Sequence, residues 1–252
     1  MKKISIITPN YNGELFIEQT SKFVISQTHI DWEWLVIDDC STDGSLLILE
    51  KLATFDQRIK IIKSQMNQGA AVARNTGLTN STGDHVAFLD CDDVWRENKL
   101  EVQLAYAISQ NADFTYHHYR IINEVGQVLK IQEVPKYIEQ EELLLFNPFA
   151  TSSIMIKRSV ISENEVRFKT YLRRRQDYLF WYDAIGASNK AMGIFEPLSD
   201  YRIFSKDSLS ANKSKMAKIQ WMILRKEFRL SVLSSIYNFL RYAIHGIKKY
   251  FL

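Results

Sequence analysis

Hydrophobic positions in the first 112 residues fall into short unbroken runs separated by amphipathic stretches. ISIIT (4–8), WLVIDD (34–39), IKIIK (59–63) and HVAFLD (85–90) are continuous apolar runs rather than alternating ones. That pattern predicts strands buried on both faces of a parallel sheet. Between them, residues 14–27 predict a helix with Leu15, Ile17, Phe23 and Val24 on or near one face. SLLILEKLA (45–53) predicts a second helix, with Ser41, Thr42 or Asp43 as cap and acidic start. GAAVARNTGL (69–78) and residues 97–110 predict two more. The order β-α-β-α-β-α-β-α predicts an α/β fold, a Rossmann-like mostly parallel central sheet with helices on both faces. In such sheets ligands sit beyond the carboxyl ends of the strands.

Past residue 112 the pattern changes. FTYHHYRII (114–122) and QVLKIQ (127–132) predict strands joined around Gly126. TSSIMIKRSVI (151–161) predicts a strand running into a turn, residues 176–186 a helix, and residues 192–203 a strand and turn. From 230 to 252, Leu233, Ile236, Leu240, Ile244, Ile247 and Phe251 recur at helical spacing, with Arg241, His245 and Lys248 on another face.

Charge sharpens the division. The chain has 252 residues, 46% apolar and 24% charged, with a net charge of only +3, so whole-chain charge gives no reason to expect a nucleic-acid partner. Residues 213–252 hold nine Lys/Arg against one Glu, a net of +8, which leaves 23 basic against 28 acidic residues elsewhere, a net of −5. An acidic body carries a basic amphipathic tail. That profile predicts either a helix lying on an anionic membrane surface or one packed on the body or on a second subunit of a homodimer. Two cysteines, Cys40 and Cys91, predict a reducing compartment rather than a disulfide framework. The start predicts no signal peptide, and no run approaches a membrane span.

The predicted chemistry collects at strand ends. Asp90 and Asp92 flank Cys91 after the fourth strand; if extended, both side chains project to one side. Paired carboxylates suit a hard divalent cation such as Mg²⁺ or Mn²⁺. The same residues also read as an acidic turn, with Asp93 capping the next helix. IDDCSTDGS after the second strand reads equally as turn and helix start. A receiver domain would need its acidic pair after the first strand, where this chain has TPNYN. P-loop, dinucleotide-fingerprint and nucleophile-elbow motifs are absent from the sequence. His117 and His118, adjacent on a strand, point to opposite faces, so a zinc site has little support.

Taken together, TPNYNGELFIEQTSKFVISQT, VIDDCSTDGS, NQGAAVARNTGL and GDHVAFLDCDD, in this order and spacing, resemble the inverting family-2 glycosyltransferases of the GT-A fold. The resemblance is strong over residues 1–112 and continues through TSSIMIKRS, RRQDYLFW and YRIFSKDSLS. Within the family it is similar to bacterial enzymes that build O-antigen, capsule or teichuronic-type polysaccharides. It implies a glycosyltransferase domain over 1–212, with a nucleotide half (1–112) and an acceptor half (113–212), followed by the tail (213–252).

The resemblance also implies roles. Pro9 and Tyr11 line a uracil pocket, and Asp39 accepts the uracil N3–H. Arg74 and Asp90 approach the nucleotide of a UDP-sugar. Asp92, with Asp90, holds Mn²⁺ or Mg²⁺. Asp177 is the catalytic base, preceded here by Gln176 where the family usually has Glu. Many relatives carry His where this chain has Phe204, so no metal or phosphate contact is expected there. Arg202 either reaches the diphosphate or forms a salt bridge at the core edge. Arg173, Arg174 and Arg175 are expected to bind the diphosphate of a lipid-linked saccharide acceptor at the cytoplasmic face of a bacterial plasma membrane. A sugar-1-phosphate nucleotidyltransferase is the alternative enzyme, but TPNYNGE lacks its glycine-rich basic loop. A non-catalytic nucleotide-sugar-binding protein is the other alternative.

Overall fold

The computed structural model describes residues 2–204 and 213–251. Its first half alternates strand and helix: β1 (Ile4–Asn10), α1 (Glu14–Ile25), β2 (Trp32–Asp38), α2 (Ser45–Phe55), β3 (Ile59–Lys63), α3 (Ala70–Asn80) and β4 (His85–Phe88). These four strands pair in parallel in the order β3-β2-β1-β4. Both sheet faces are covered, which is why the runs are continuously apolar. Ile4, Ile6, Trp34 and Val36 pack with Ile17 and Val24 of α1 and Leu49 of α2. Ile7, Leu35, Ile37 and Phe88 pack in the opposite core, with Ala71, Ala73 and Leu78 of α3.

Glycine sets the closest of these approaches. A Cβ at Gly77 would stand 2.5 Å from Ile7 Cγ2 and 3.0 Å from Ile37 Cδ1. The bare backbone therefore lets α3 lie directly on β1 and β2.

In the second half the sheet becomes mixed. β5 (Val94–Trp95) and α4 (Lys99–Gln110) precede β6 (Phe114–Ile122), β7 (Val128–Gln132), β8 (Met155–Lys157), α5 (Arg158–Glu163), α6 (Gln176–Ala187) and β9 (Ala191–Arg202). β8 bridges the halves, antiparallel to both β4 and β6; β9 runs parallel to β6 and antiparallel to β5. α6 joins the α3-side core through Tyr178, Phe180 and Trp181, with the Phe180 and Phe168 rings stacked 3.9 Å apart.

Three local expectations change. Leu15 is 86% exposed, because the buried face of α1 is Ile17, Thr20, Ser21 and Val24. Residues 151–161 form a 3₁₀ turn at Thr151–Ser153, then the three-residue β8, then the helix α5, instead of a strand running into a turn. Asp43 takes the N–H of Ser45, the first residue of α2, at 3.0 Å, with Gly44 in the cap position.

The tail comprises α7 (Lys213–Met222), a π-helical turn at Ile223–Glu227 and α8 (Val232–Phe251). α8 is seated the opposite way from an ordinary amphipathic helix. Ser235 and Asn238 are buried, while Leu233 is 82% exposed and Ile236, Tyr237, Leu240 and Ile244 also face outward. The side chains of His245, Ile247, Lys248 and Phe251 lie outside the described residues, as do residues 205–212 of the late motif. No helix among the described residues is long and apolar enough to cross a membrane.

Candidate active site

The carboxyl ends of β1, β2 and β4 face one edge, and each is locked by its own sequence. Asn10 closes β1: its Nδ2 donates to Asp38 Oδ1 at 2.8 Å and to the hydroxyls of Ser45 and Ser41 at 3.0 and 3.2 Å. Asp38 is thus a buried tie between two strand ends. Its neighbour Asp39 points elsewhere. Its carboxylate accepts the backbone N–H of Gln68 at 3.0 and 3.1 Å and of Gly69 at 2.6 Å. Gly69 sits at φ +90 ahead of α3, a conformation that favours glycine. Asp39 therefore joins the end of β2 to the start of α3. Pro9 is half-buried beside it, and Tyr11 is 51% exposed.

After β4 the acidic residues lie in a turn rather than an extended strand: the Asp93 N–H donates to the Asp90 carbonyl at 3.1 Å. The three carboxylates then separate by partner. Asp90 accepts Nη2 of the buried Arg74 at 2.6 Å. Burial alone would lower the Arg74 pKa; adjacent Asp90 outweighs it, aided by Asp177 and Cys91, so the guanidinium is held more firmly charged than usual. Among the described residues no salt bridge forms to Asp92. Burial and the charge of Asp90 raise its pKa to about 6. Asp93 is buried, taking the Ser152 hydroxyl at 2.5 Å and the Arg202 backbone N–H at 3.0 Å. Burial, then Asp92 and Asp90, push its pKa well above the usual carboxylate range. It does not cap α4, whose cap position is Asn98. Burial and then the neighbouring carboxylates drive the Cys91 thiol pKa upward, which disfavours its thiolate.

Asp177 lies in the first turn of α6, half-buried, near enough to act electrostatically on Arg74. One guanidinium is therefore flanked by the turn after β4 on one side and the start of α6 on the other. Carboxylates around a charged arginine, at the carboxyl edge of a 3-2-1-4 parallel sheet, are an arrangement that can receive a phosphorylated ligand and take up a proton.

The model of the family described as glycosyl transferase family 2 matches residues 5–201. The chain belongs to glycosyltransferase family 2. This family-2 glycosyltransferase is 35% identical, over 98% of its length and 96% of the relative's, to the putative teichuronic acid biosynthesis glycosyltransferase TuaG of Bacillus subtilis (strain 168). It is 36% identical, over 98% and 94%, to the Escherichia coli UDP-Glc:alpha-D-GlcNAc-diphosphoundecaprenol beta-1,3-glucosyltransferase WfgD. Its fold is that of Staphylococcus aureus TarS 1–349, solved in complex with UDP-GlcNAc, at a TM-score of 0.75 and 19% identity, over 96% of this chain and 71% of that one.

Several arginines of the glycosyltransferase are placed differently from expectation. Arg202 forms no carboxylate salt bridge among the described residues. Its guanidinium donates to backbone carbonyls, Nε to Asp92 at 2.9 Å and Nη1 to Asn123 and Glu124 at 3.3 and 2.9 Å. It also covers the Phe16 ring at 5.1 Å. Its donors fix the turn that presents Asp92. Phe204 packs edge-to-face on Phe16 at 5.7 Å. Arg174 and Arg175 turn toward the tail, contacting Met216 and Gln220 with Tyr242, while Arg173 is exposed.

Sequence reading missed the supports of the site. Asn10 was visible only as part of TPNYN, and Ser152 only as part of TSSIM. Ser152 does two jobs: its hydroxyl accepts the Asp90 N–H at 3.1 Å and donates to Asp93. Nothing local signals a serine 59 residues downstream of its carboxylate.

Proposed function

We propose that this enzyme transfers a hexose or N-acetylhexosamine from a UDP-sugar, with inversion, to a hydroxyl of an undecaprenyl-diphosphate-linked saccharide in bacterial surface-polysaccharide synthesis. The observation that carries this reading is the gathering of Asp90, Asp92 and Asp177 around the buried Arg74, with Asp39 held separately at the end of β2 by the Gln68 and Gly69 amides. The named activity of WfgD supports the acceptor class, and the UDP-GlcNAc complex of TarS supports the donor class.

Pro9 and Tyr11 form the wall of the base pocket. Asp39 accepts the uracil N3–H. A carboxylate has about four acceptor positions. The two backbone amides leave Oδ1 with capacity for that proton, and cytosine has none there to offer. Arg74 pairs with Asp90 and faces the diphosphate.

Asp92 and Asp90 are the residues that would hold Mn²⁺ or Mg²⁺. They fit: a hard oxygen pair whose mutual repulsion and burial disfavour ionisation of Asp92 in the absence of a counter-charge. Among the described residues no cluster of three or more His, Cys, Asp or Glu forms a closed cage, so donor diphosphate oxygens would complete the shell. Bound there, the cation neutralises charge developing on the UDP leaving group.

Asp177 removes the proton from the acceptor hydroxyl as that oxygen bonds to the anomeric carbon. The carbon–oxygen bond to UDP breaks on the opposite face, and the configuration inverts. A panel of UDP-sugars with Mn²⁺ and a synthetic lipid-diphosphate saccharide tests this. UDP release dependent on both substrates is expected; UDP binding without turnover on any acceptor would instead mark a nucleotide-sugar-binding protein.

The tail extends the reading to the membrane. α8 buries Ser235 and Asn238 and exposes Leu233, Ile236, Leu240 and Ile244, within a tail (213–252) of net charge +8. An apolar face with basic flanks suits an anionic lipid surface. The enzyme would then work at the inner face of the plasma membrane, where a lipid-linked acceptor resides. Leu233→Asp with Leu240→Asp should abolish flotation with anionic liposomes; wild-type protein that stays unbound refutes the membrane role.

A further inference from the structure

The start of α6 is held from outside the body. Arg175, the residue immediately before the helix, sits at φ +59, in the left-handed region that costs a non-glycine residue roughly 1–2 kcal/mol. Its carbonyl accepts the Leu179 N–H at 3.3 Å, so its backbone belongs to the first turn that carries Asp177. Both terminal nitrogens of its guanidinium are engaged: Nη1 donates to Gln220 Oε1 on α7, Nη2 to the Tyr242 hydroxyl on α8. The guanidinium also lies 4.7 Å from the centroid of Tyr242 and 5.9 Å from that of Tyr178.

The clamp is itself anchored. Gln220 is fully buried. Tyr178 donates its hydroxyl to the Leu143 carbonyl at 2.6 Å, and Phe228, just past the π-turn, packs against Tyr178 and Tyr182 at 6.0 and 4.2 Å. Three tail residues therefore close on the first two turns of α6. These side-chain partners are neutral and already use the fork of Arg175, which a bound diphosphate would otherwise take.

We propose that Arg175 is a positioning residue, through which Gln220 and Tyr242 of the tail fix the first turn of α6 and hence the carboxylate of Asp177. The inference rests on the reading of Asp177 as the base. Releasing the guanidinium removes what offsets the left-handed backbone, and the first turn can then relax away from Arg74. Misplacing a reacting group by about 1 Å can cost on the order of 10²-fold in rate, so partial relaxation should be visible in kcat.

The test pairs Tyr242→Phe and Arg175→Lys, alone and together, in the full chain. Tyr242→Phe keeps the ring and removes the hydroxyl; Arg175→Lys keeps the charge and removes the fork. Each should lower kcat roughly tenfold while acceptor KM stays within about twofold, and the double variant should be no worse than Arg175→Lys alone. Hydrogen exchange at the Tyr178 and Leu179 amides should quicken in both. An unchanged kcat and unchanged exchange in Tyr242→Phe would overturn the proposal. A raised acceptor KM with unchanged kcat in Arg175→Lys would also overturn it, returning Arg175 to acceptor binding. Should Asp177 prove not to be the base, exchange still decides: faster exchange upholds the clamp on α6, and unchanged exchange refutes it.

Discussion

Asp177→Asn should lower kcat by roughly 10²–10⁴-fold, the range a positioned general base supplies, with UDP affinity little altered. The substitution is nearly isosteric and removes only the capacity to take a proton. Asp177 sits in the first turn of α6, where a negative charge contributes about 0.3–1 kcal/mol through the helix dipole. Thermal stability should therefore fall only slightly, which separates a catalytic loss from unfolding. Steady-state kinetics and UDP titration on one preparation make the check. A variant with kcat within a few-fold of wild type would place the base elsewhere.

Asp92→Ala should reduce turnover by about a thousandfold, the rate equivalent of roughly 4 kcal/mol of lost charge stabilisation at the leaving group. Its stability should move the other way. Asp92 is half-buried beside Asp90 and Asp93, and its raised pKa reflects partial burial and like-charge repulsion. Removing it relieves that repulsion, so the melting temperature of the metal-free protein should hold or rise. Asp93→Ala is the contrast, because it leaves the Ser152 hydroxyl and the Arg202 N–H without their acceptor. Kinetics with and without added Mn²⁺, and melting in a chelator, distinguish the two. Substantial Mn²⁺-dependent turnover in Asp92→Ala would move the metal role away from Asp92.

These contrasts mark what the sequence could and could not disclose. The parallel half was legible because ISIIT, WLVIDD and HVAFLD are buried on both faces, and that burial writes itself as unbroken apolar runs, whereas IKIIK at the sheet edge is only partly covered. The strand ends were legible for the same reason, since charge directly after such a run has only one edge to occupy. The second half was not. β5 has two residues and β8 three, too short for any period to register, and Thr151–Ser153 is a buried 3₁₀ turn in which Ser152 supports Asp90 and Asp93. Partnership across long separations was equally hidden: Arg202 serves the turn of Asp92 from 110 residues away. In the tail, the helical period was clear, but only the packing shows that Ser235 and Asn238 face inward while Leu233 and Leu240 do not.

The site follows the same division. Asp39, Arg74, Asp90, Asp92 and Asp177 stand out as candidates in the sequence, yet the partners that separate them appear only in the fold. Asp39 is tied to the Gly69 turn, Asp90 to Arg74, and Asp93 to the scaffold.

The most direct test of the central claim is the structure of the product. Wild-type enzyme, an α-configured UDP-sugar, Mn²⁺ and a synthetic lipid-diphosphate saccharide should yield UDP and a β-linked glycoside by NMR, and Asp177→Asn should yield neither at a comparable rate. An α-linked product, or free sugar and UDP with no glycoside, would contradict direct inverting transfer at this site.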